Sequence, residues 1–193
     1  MSLDKERMAV AIGKNGETKK KIEELTGTII KIDSNTGEFQ VEPNKDENPV
    51  DEDSIPFDPS VRAYATINIL KAIGYGFNPD KALKLLDPEY TIETVDLEDI
   101  LGHSENKLTR IKGRIIGDKG KIRAAIEQFS EVHLSVYNRY LSIIGDFEAI
   151  KLAKKAINMI MDGAPHKVVL NFLQKKYQEK KHEDFTQIWK PKL

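Results

Sequence analysis

Residues 114–120 read Arg114-Ile115-Ile116-Gly117-Asp118-Lys119-Gly120, and residues 12–16 read Ile12-Gly13-Lys14-Asn15-Gly16. Both carry Ile-Gly-x-x-Gly, and the likeness extends past it at a constant offset of 104 residues. Ile22, Leu25, Ile30 and Ile32 align with Ile126, Phe129, Leu134 and Val136. After a turn of variable length, Phe39 and Val41 answer Leu141 and Ile143, and further on Ile67, Ile69 and Leu70 stand opposite Ile157, Met159 and Ile160. A whole folding unit is therefore present twice.

Periodicity assigns the elements of each copy. Apolar residues three and four apart predict short amphipathic helices over 17–26 and 121–130, each opening directly after the second glycine. Alternation predicts strands over 28–32 and 132–136, and each leads through a turn, Asn35 to Gly37 or Asn138 to Arg139, into a second strand. Stripes of Val, Ile, Leu and Ala predict long helices over 59–73 and 147–161 that cover one face of the sheet. The second copy has in addition a leading strand, 91–97, and a helix over 105–114, giving the order strand, helix, helix, strand, strand, helix.

The chain has 193 residues with 12 Gly, 8 Pro and no Cys, enough for two modest domains with a core each. Hydrophobic residues at 39% and charged residues at 32% fit a globular protein. No run approaches the roughly 20 apolar residues of a membrane helix, and the N-terminus lacks the order of a signal peptide, so no membrane association and a cytoplasmic location are expected. Without Cys there are no disulfides, thiolate metal sites or Cys nucleophiles. His103, His133, His166 and His182 have no partner at ligand spacing, so neither a metal nor a cofactor is expected.

Net charge is −1, so any anion binding must come from a local patch. Across residues 107–123, Lys107, Arg110, Lys112, Arg114, Lys119, Lys121 and Arg123 face a single acid, Asp118. The opposite stretch is 42–53, where Lys45 stands alone among Glu42, Asp46, Glu47, Asp51, Glu52 and Asp53. It lacks a calcium-loop spacing and reads as a solvated acidic loop.

Two glycines three apart are a weak signal alone; their context is specific. Each pair follows an apolar run ending in Ile and precedes a helix, so the backbone can turn tightly and a phosphate can approach without meeting a Cβ. The helix adds its dipole and free N–H groups at the same point. A nucleotide-binding P-loop is excluded, because Ile115 stands where its leading glycine belongs and Ile122 where its Ser or Thr belongs.

Ile-Gly-x-x-Gly, an Ile-bearing helix, a hairpin and a long helix resemble the type I KH domain, the second copy more closely. The tandem arrangement and the ending Gly163-Ala164-Pro165-His166 followed by Val168-Val169-Leu170-Asn171-Phe172-Leu173 resemble the archaeal relatives of the eukaryotic partner-of-Nob-one pre-rRNA-processing proteins. The resemblance implies an α+β fold of two tandem KH domains (βααββα), with three-stranded antiparallel sheets packed on helices and a C-terminal helix. The domains would be 1–87, with an acidic loop at 42–58, and 88–164, followed by a helix and tail over 165–193. Only twelve residues precede Gly13, so the first copy is expected to begin inside its domain, with its leading strand missing or truncated.

The function implied is single-stranded RNA binding, about four nucleotides per module, at the 3′ region of small-subunit rRNA during subunit assembly. The chain would be a non-enzymatic monomer. Its implied partners are the endonuclease that matures that end and other assembly or translation factors. The RNA contacts would be Gly13, Lys14, Asn15 and Gly16 in the first loop and Ile116, Gly117, Asp118, Lys119 and Gly120 in the second. Lys19, Arg114 and Arg123 would assist, and Ile22, Ile30, Ile126 and Leu134 would either wall the grooves or lie in the core. Alternatives are a messenger-RNA regulator, a protein scaffold in an RNA-processing complex, and a metal-dependent nuclease using the acidic loop. In the C-terminal segment Val169, Phe172, Leu173 and Tyr177 share one helical face, which is expected either to dock on the second copy or to meet a partner protein or the RNA backbone. Phe185, Ile188 and Trp189 continue as a tail with aromatic anchors.

Overall fold

A computed structural model describes residues 3–33, 35–44 and 58–188, with side chains as far as residue 183. In chain order the elements are α1 (Lys5–Ile12), α2 (Glu17–Thr26), β1 (Thr28–Ile32), β2 (Phe39–Pro43), α3 (Pro59–Gly74), α4 (Pro79–Ala82), β3 (Thr91–Asp96), α5 (Leu97–Leu101), α6 (Glu105–Ile116), α7 (Lys121–Ser130), β4 (His133–Tyr137), β5 (Tyr140–Gly145), α8 (Phe147–Met161) and α9 (His166–Ile188). A 3₁₀ turn occupies each glycine loop, and another spans Leu83–Leu86.

Local chemistry sets many of these boundaries. Asp4, Asp58 and Asp146 accept the first free N–H groups of α1, α3 and α8 at 2.8 Å, from Arg7, Ser60 and Ala149. Asp96 ends β3 one residue before the expected limit because its side chain caps α5, accepting from Glu98 N at 2.9 Å. The β4–β5 hairpin turns on Asn138 at φ 51°, a left-handed conformation that Asn tolerates.

By packing, the chain forms two units: Met1–Val95 with Ser135–Ile144, and Asp96–Leu134 with Gly145–Leu193. The first contains the antiparallel pair β1–β2, with Ile30 opposite Val41, and most of the three-stranded antiparallel sheet β3-β5-β4. Its core gathers Ala11, Ile22, Ile30, Ile69, Leu70, Ile73 and Phe77, and Ile144 from β5 belongs to the same cluster. A buried hydroxyl chain runs from Thr26 through Thr28 to Thr66, at 2.7 and 3.1 Å, and ties α2 and β1 to α3. The first repeat's sheet is two-stranded among the described residues; at its turn the N–H of buried Leu3 donates to Gly37 O at 2.9 Å.

The second unit packs α6, α7, α8 and α9 together. α9 docks on α7 and α8 through the expected face: Val169 and Leu173 are fully buried, and Tyr177 meets Phe129 edge-on at 5.7 Å. Trp189 and most of the acidic loop, from residue 45 to 57, lie outside the described residues.

Candidate nucleic-acid interface

The two glycine loops have one backbone conformation. Gly13 and Gly117 lie at φ/ψ of 74°/177° and 72°/178°, Asn15 and Lys119 at 53°/23° and 50°/30°, and Gly16 and Gly120 at 80°/10° and 77°/11°. In each, the second glycine's N–H donates to the oxygen of the first, at 3.3 and 3.2 Å. The glycines have different jobs. A Cβ on Gly13 would stand 2.2 Å from Thr18 Oγ1, and one on Gly117 2.3 Å from Ile122 Cγ1, so these positions let the loop lie against the next helix. A Cβ on Gly16 or Gly120 would meet nothing within 4 Å: the second glycine faces open space at the positive end of a ten-residue helix. That space suits a phosphate.

Lys14, Asn15, Asp118 and Lys119 are exposed at the loop tips. Lys119 has no ion pair or hydrogen bond among the described residues, whereas Asp118 Oδ2 stands 3.6 Å from Lys121 Nζ. The basic cluster is less available than its sequence suggests. Arg114 donates to the main-chain oxygens of Ile160 and Ala164 at 2.6 and 2.7 Å, so its guanidinium closes the end of α8 instead of pointing at a ligand. Arg123 pairs with Glu127 at 3.5 Å and Lys19 with Glu23 at 3.7 Å. Lys107 and Arg110, three apart on α6, remain exposed cations on the helix leading into the second loop.

Ile22, Ile30, Ile126 and Leu134 are at most 1% exposed. Of the two readings open to them, core and groove wall, their burial selects the core, because no surface remains for a base. Ile116, beside the loop, is half-buried. Two residues that the sequence reading passed over lie here. Glu23 Oε1 accepts from Ile30 N at 2.7 Å and Glu127 Oε1 from Leu134 N at 2.9 Å, the same bond in both repeats. The signal was present, since Glu recurs at the repeat offset beside Ile22 and Ile126. Among the described residues no group of three His, Asp or Glu side chains is placed to hold a metal ion, and no helix is long and apolar enough to cross a membrane.

Residues 91–178 match the family described as eukaryotic-type KH domain, type I, of the second PNO1 domain, and residues 1–50 match the KH domain family. KH domain-containing protein MJ0443 of Methanocaldococcus jannaschii is 35% identical over 192 residues, covering all of this chain and 79% of that protein. The pre-rRNA-processing protein pno1 of Schizosaccharomyces pombe is 33% identical over 108 residues, 54% of this chain and 44% of that protein, so the chain spans less than half of this eukaryotic relative. Among solved structures, the a/eIF2α–aDim2p–rRNA complex from Pyrococcus horikoshii contains a chain 38% identical to this one, with a TM-score of 0.80 and 93% of each chain covered.

Proposed function

The chain belongs to the KH-domain family of the PNO1 pre-rRNA-processing proteins and archaeal Dim2, and from that premise we propose that it binds single-stranded rRNA as an assembly factor of the small ribosomal subunit. The observation that carries this reading is the duplicated loop, two copies of one backbone conformation that each leave open space beside the second glycine at a helix N-terminus. The proposed contacts are Gly13, Lys14, Asn15 and Gly16, and Gly117, Asp118, Lys119 and Gly120, with Lys107 and Arg110 adding charge on the approach to the second loop. Two KH repeats, 1–87 and 88–164, would then act as tandem modules, with α9 as a fixed buttress of the second.

The 3′ region of small-subunit rRNA is the proposed target. The related Pyrococcus chain was solved in a complex named for rRNA and an initiation-factor subunit, and the S. pombe relative is named for pre-rRNA processing. The endonuclease that matures that end and a translation factor are the proposed protein partners, and no catalytic step is assigned to this chain. Crosslinking in cells followed by sequencing of the bound RNA tests the reading. A peak at the small-subunit 3′ end is expected; peaks spread over messenger RNAs would make the protein a messenger regulator instead, and no crosslinks would make it a scaffold. Cleavage of labelled RNA by purified protein with magnesium or manganese would overturn the non-enzymatic assignment.

A further inference from the structure

Three tyrosines of the first unit, Tyr75, Tyr137 and Tyr140, line one cavity of about 440 Å³ together with Leu3, Asp4 and Asn138. The rings of Tyr75 and Tyr140 stand edge to face, with centroids 5.0 Å apart and planes at 63°, and form a corner. Two glycines fix Tyr75 there. A Cβ on Gly74 would stand 2.7 Å from Leu3 Cδ2, and one on Gly76 2.6 Å from Tyr137 Cβ, so neighbouring segments close tightly on both sides of Tyr75. Ser135 Oγ on β4 donates to Tyr75 O at 2.9 Å. The pocket is no part of the duplication: α8 ends as α3 does, with a glycine at φ 97° against 96°, but its cap is Asp162 where α3 has Tyr75.

The field at the Tyr137 hydroxyl is negative. Its oxygen donates to Asp4 Oδ2 at 2.8 Å, and Glu6 Oε2 lies 3.5 Å from the same atom. Burial, the Asp4 bond and the two carboxylate charges hold the Tyr137 phenol above its ordinary value, although Arg7 pulls it the other way. Arg7 is committed to the main-chain oxygens of Ile73 and Phe77, and the carboxylates keep lone pairs for a further donor. The rings already receive cations: Arg7 lies 5.4 Å from the ring centroid of Tyr137, and Arg139 lies 5.2 Å from that of Tyr140. Both are arginines, whose flat guanidinium stacks on a ring where an ammonium meets it as a point charge. A phosphate chain has the wrong charge for this corner.

We propose that this pocket receives an arginine side chain of a partner protein, its guanidinium held among the tyrosine rings and paired with Asp4 and Glu6. Aromatic walls with carboxylates beside them suit a cation that is both flat and a multiple donor. Asp4 caps the start of α1 and the first glycine loop follows its end, so eight helical residues, about 12 Å, separate the two. An arginine here leaves the proposed phosphate position of that loop open.

The test uses the full chain and three acetylated, amidated tripeptides, Gly-Arg-Gly, Gly-Lys-Gly and Gly-citrulline-Gly, followed through the NMR signals of the tyrosine rings. Citrulline has the shape of arginine without its charge. The arginine peptide should shift Tyr75, Tyr137 and Tyr140 and bind on the order of tenfold more tightly than the citrulline peptide, with the lysine peptide between them. Added salt should weaken the arginine peptide and leave the citrulline peptide unchanged. The peptide comparison needs no variant to fold. Asp4→Asn with Glu6→Gln should cost a similar factor in arginine affinity while the melting temperature holds, because Asn still caps α1 and Glu6 is exposed. Equal binding of the arginine and citrulline peptides, lysine binding as tight as arginine, unmoved tyrosine signals, or unchanged affinity in the double variant would overturn the inference. Tyrosine signals moved by a small-subunit rRNA 3′-terminal fragment and not by the peptide would make the pocket an RNA contact. Signals that move on dilution of the protein alone would make the occupant a second copy, and either result likewise overturns the partner arginine.

Discussion

Arg114 donates from Nη1 to the main-chain oxygen of Ile160 at 2.6 Å, and in the first repeat Arg7 donates from Nε to that of Ile73 at the same distance. Each arginine also reaches a carbonyl beyond the long helix, Ala164 for Arg114 and Phe77 for Arg7. Carbonyls at a helix C-terminus have no intrahelical donor and carry the negative end of its dipole, so a guanidinium satisfies both needs. The repeat offset pairs Arg114 with Val10, not with Arg7. The same contact has been built from positions about one helical turn apart.

The Arg114→Ala variant should therefore lose stability more than affinity. Hydrogen bonds from a charged donor contribute roughly 1.5–3 kcal/mol, so a loss of about 2 kcal/mol is expected. Thermal melts report this, and RNA titrations well below the melting temperature should change less than about threefold, under 1 kcal/mol. A variant of full stability with collapsed affinity would make Arg114 an RNA contact after all.

The glycines of the second loop should separate in the same way. Gly117→Ala must push a Cβ into Ile122 as well as hold φ at 72°, whereas Gly120→Ala carries only the cost of a left-handed alanine, about 1–2 kcal/mol. Denaturant titrations should rank Gly117→Ala as clearly the less stable. Gly120→Ala, still folded, should bind RNA more weakly, because its methyl enters the space proposed for phosphate. Undiminished binding by that variant would remove the phosphate from this position.

The second loop should dominate affinity. Lys107 and Arg110 lie on the helix before it, where the first repeat has Leu3 and Glu6 at the matching offset. Lys119→Asp in the second loop should cost more affinity than Lys14→Asp with Asn15→Asp in the first, although the first-loop variant adds more negative charge. It should also flatten the dependence on salt more, since each phosphate contact to a single strand contributes a log–log slope of about −0.7. Circular dichroism must show both variants folded. An equal or larger loss from the first-loop variant would refute the asymmetry.

Helix α7 ends on Glu131 at φ 58°, where α2 ends on Gly27 at φ 59°. A side chain is strained there, and glycine is the residue that this cap favours. Glu131→Gly gives up an exposed ion pair with Lys180, which counts for little in water. A net gain of about 0.5–1 kcal/mol is expected from removing the left-handed strain. A lower melting temperature would show that the Lys180 contact to α9 outweighs the backbone strain.

What the sequence determined alone is what neighbours along the chain decide. Helices 17–26, 121–130 and 147–161 and strand 28–32 have the limits that their apolar periods, caps and glycines predict, because those signals lie within one or two turns of what they control. The short helices α4 and α5 have too few turns for a period to register, and α1 also went unread. Tertiary structure alone decided the destination of the side chains. Arg114 meets its carbonyls 46 and 50 residues away, so a basic run can be counted in the sequence, but which of its charges remain exposed cannot. Ile22, Ile30, Ile126 and Leu134 have the same apolar pattern whether they line a groove or fill a core, and only the helices and strands closing over them settled their burial. The hairpin strands β4 and β5 belong by sequence to the second repeat, yet residues 135–144 pack with residues 1–95. Chain order records which residues were duplicated together; burial of apolar surface between distant segments decides which of them share a core.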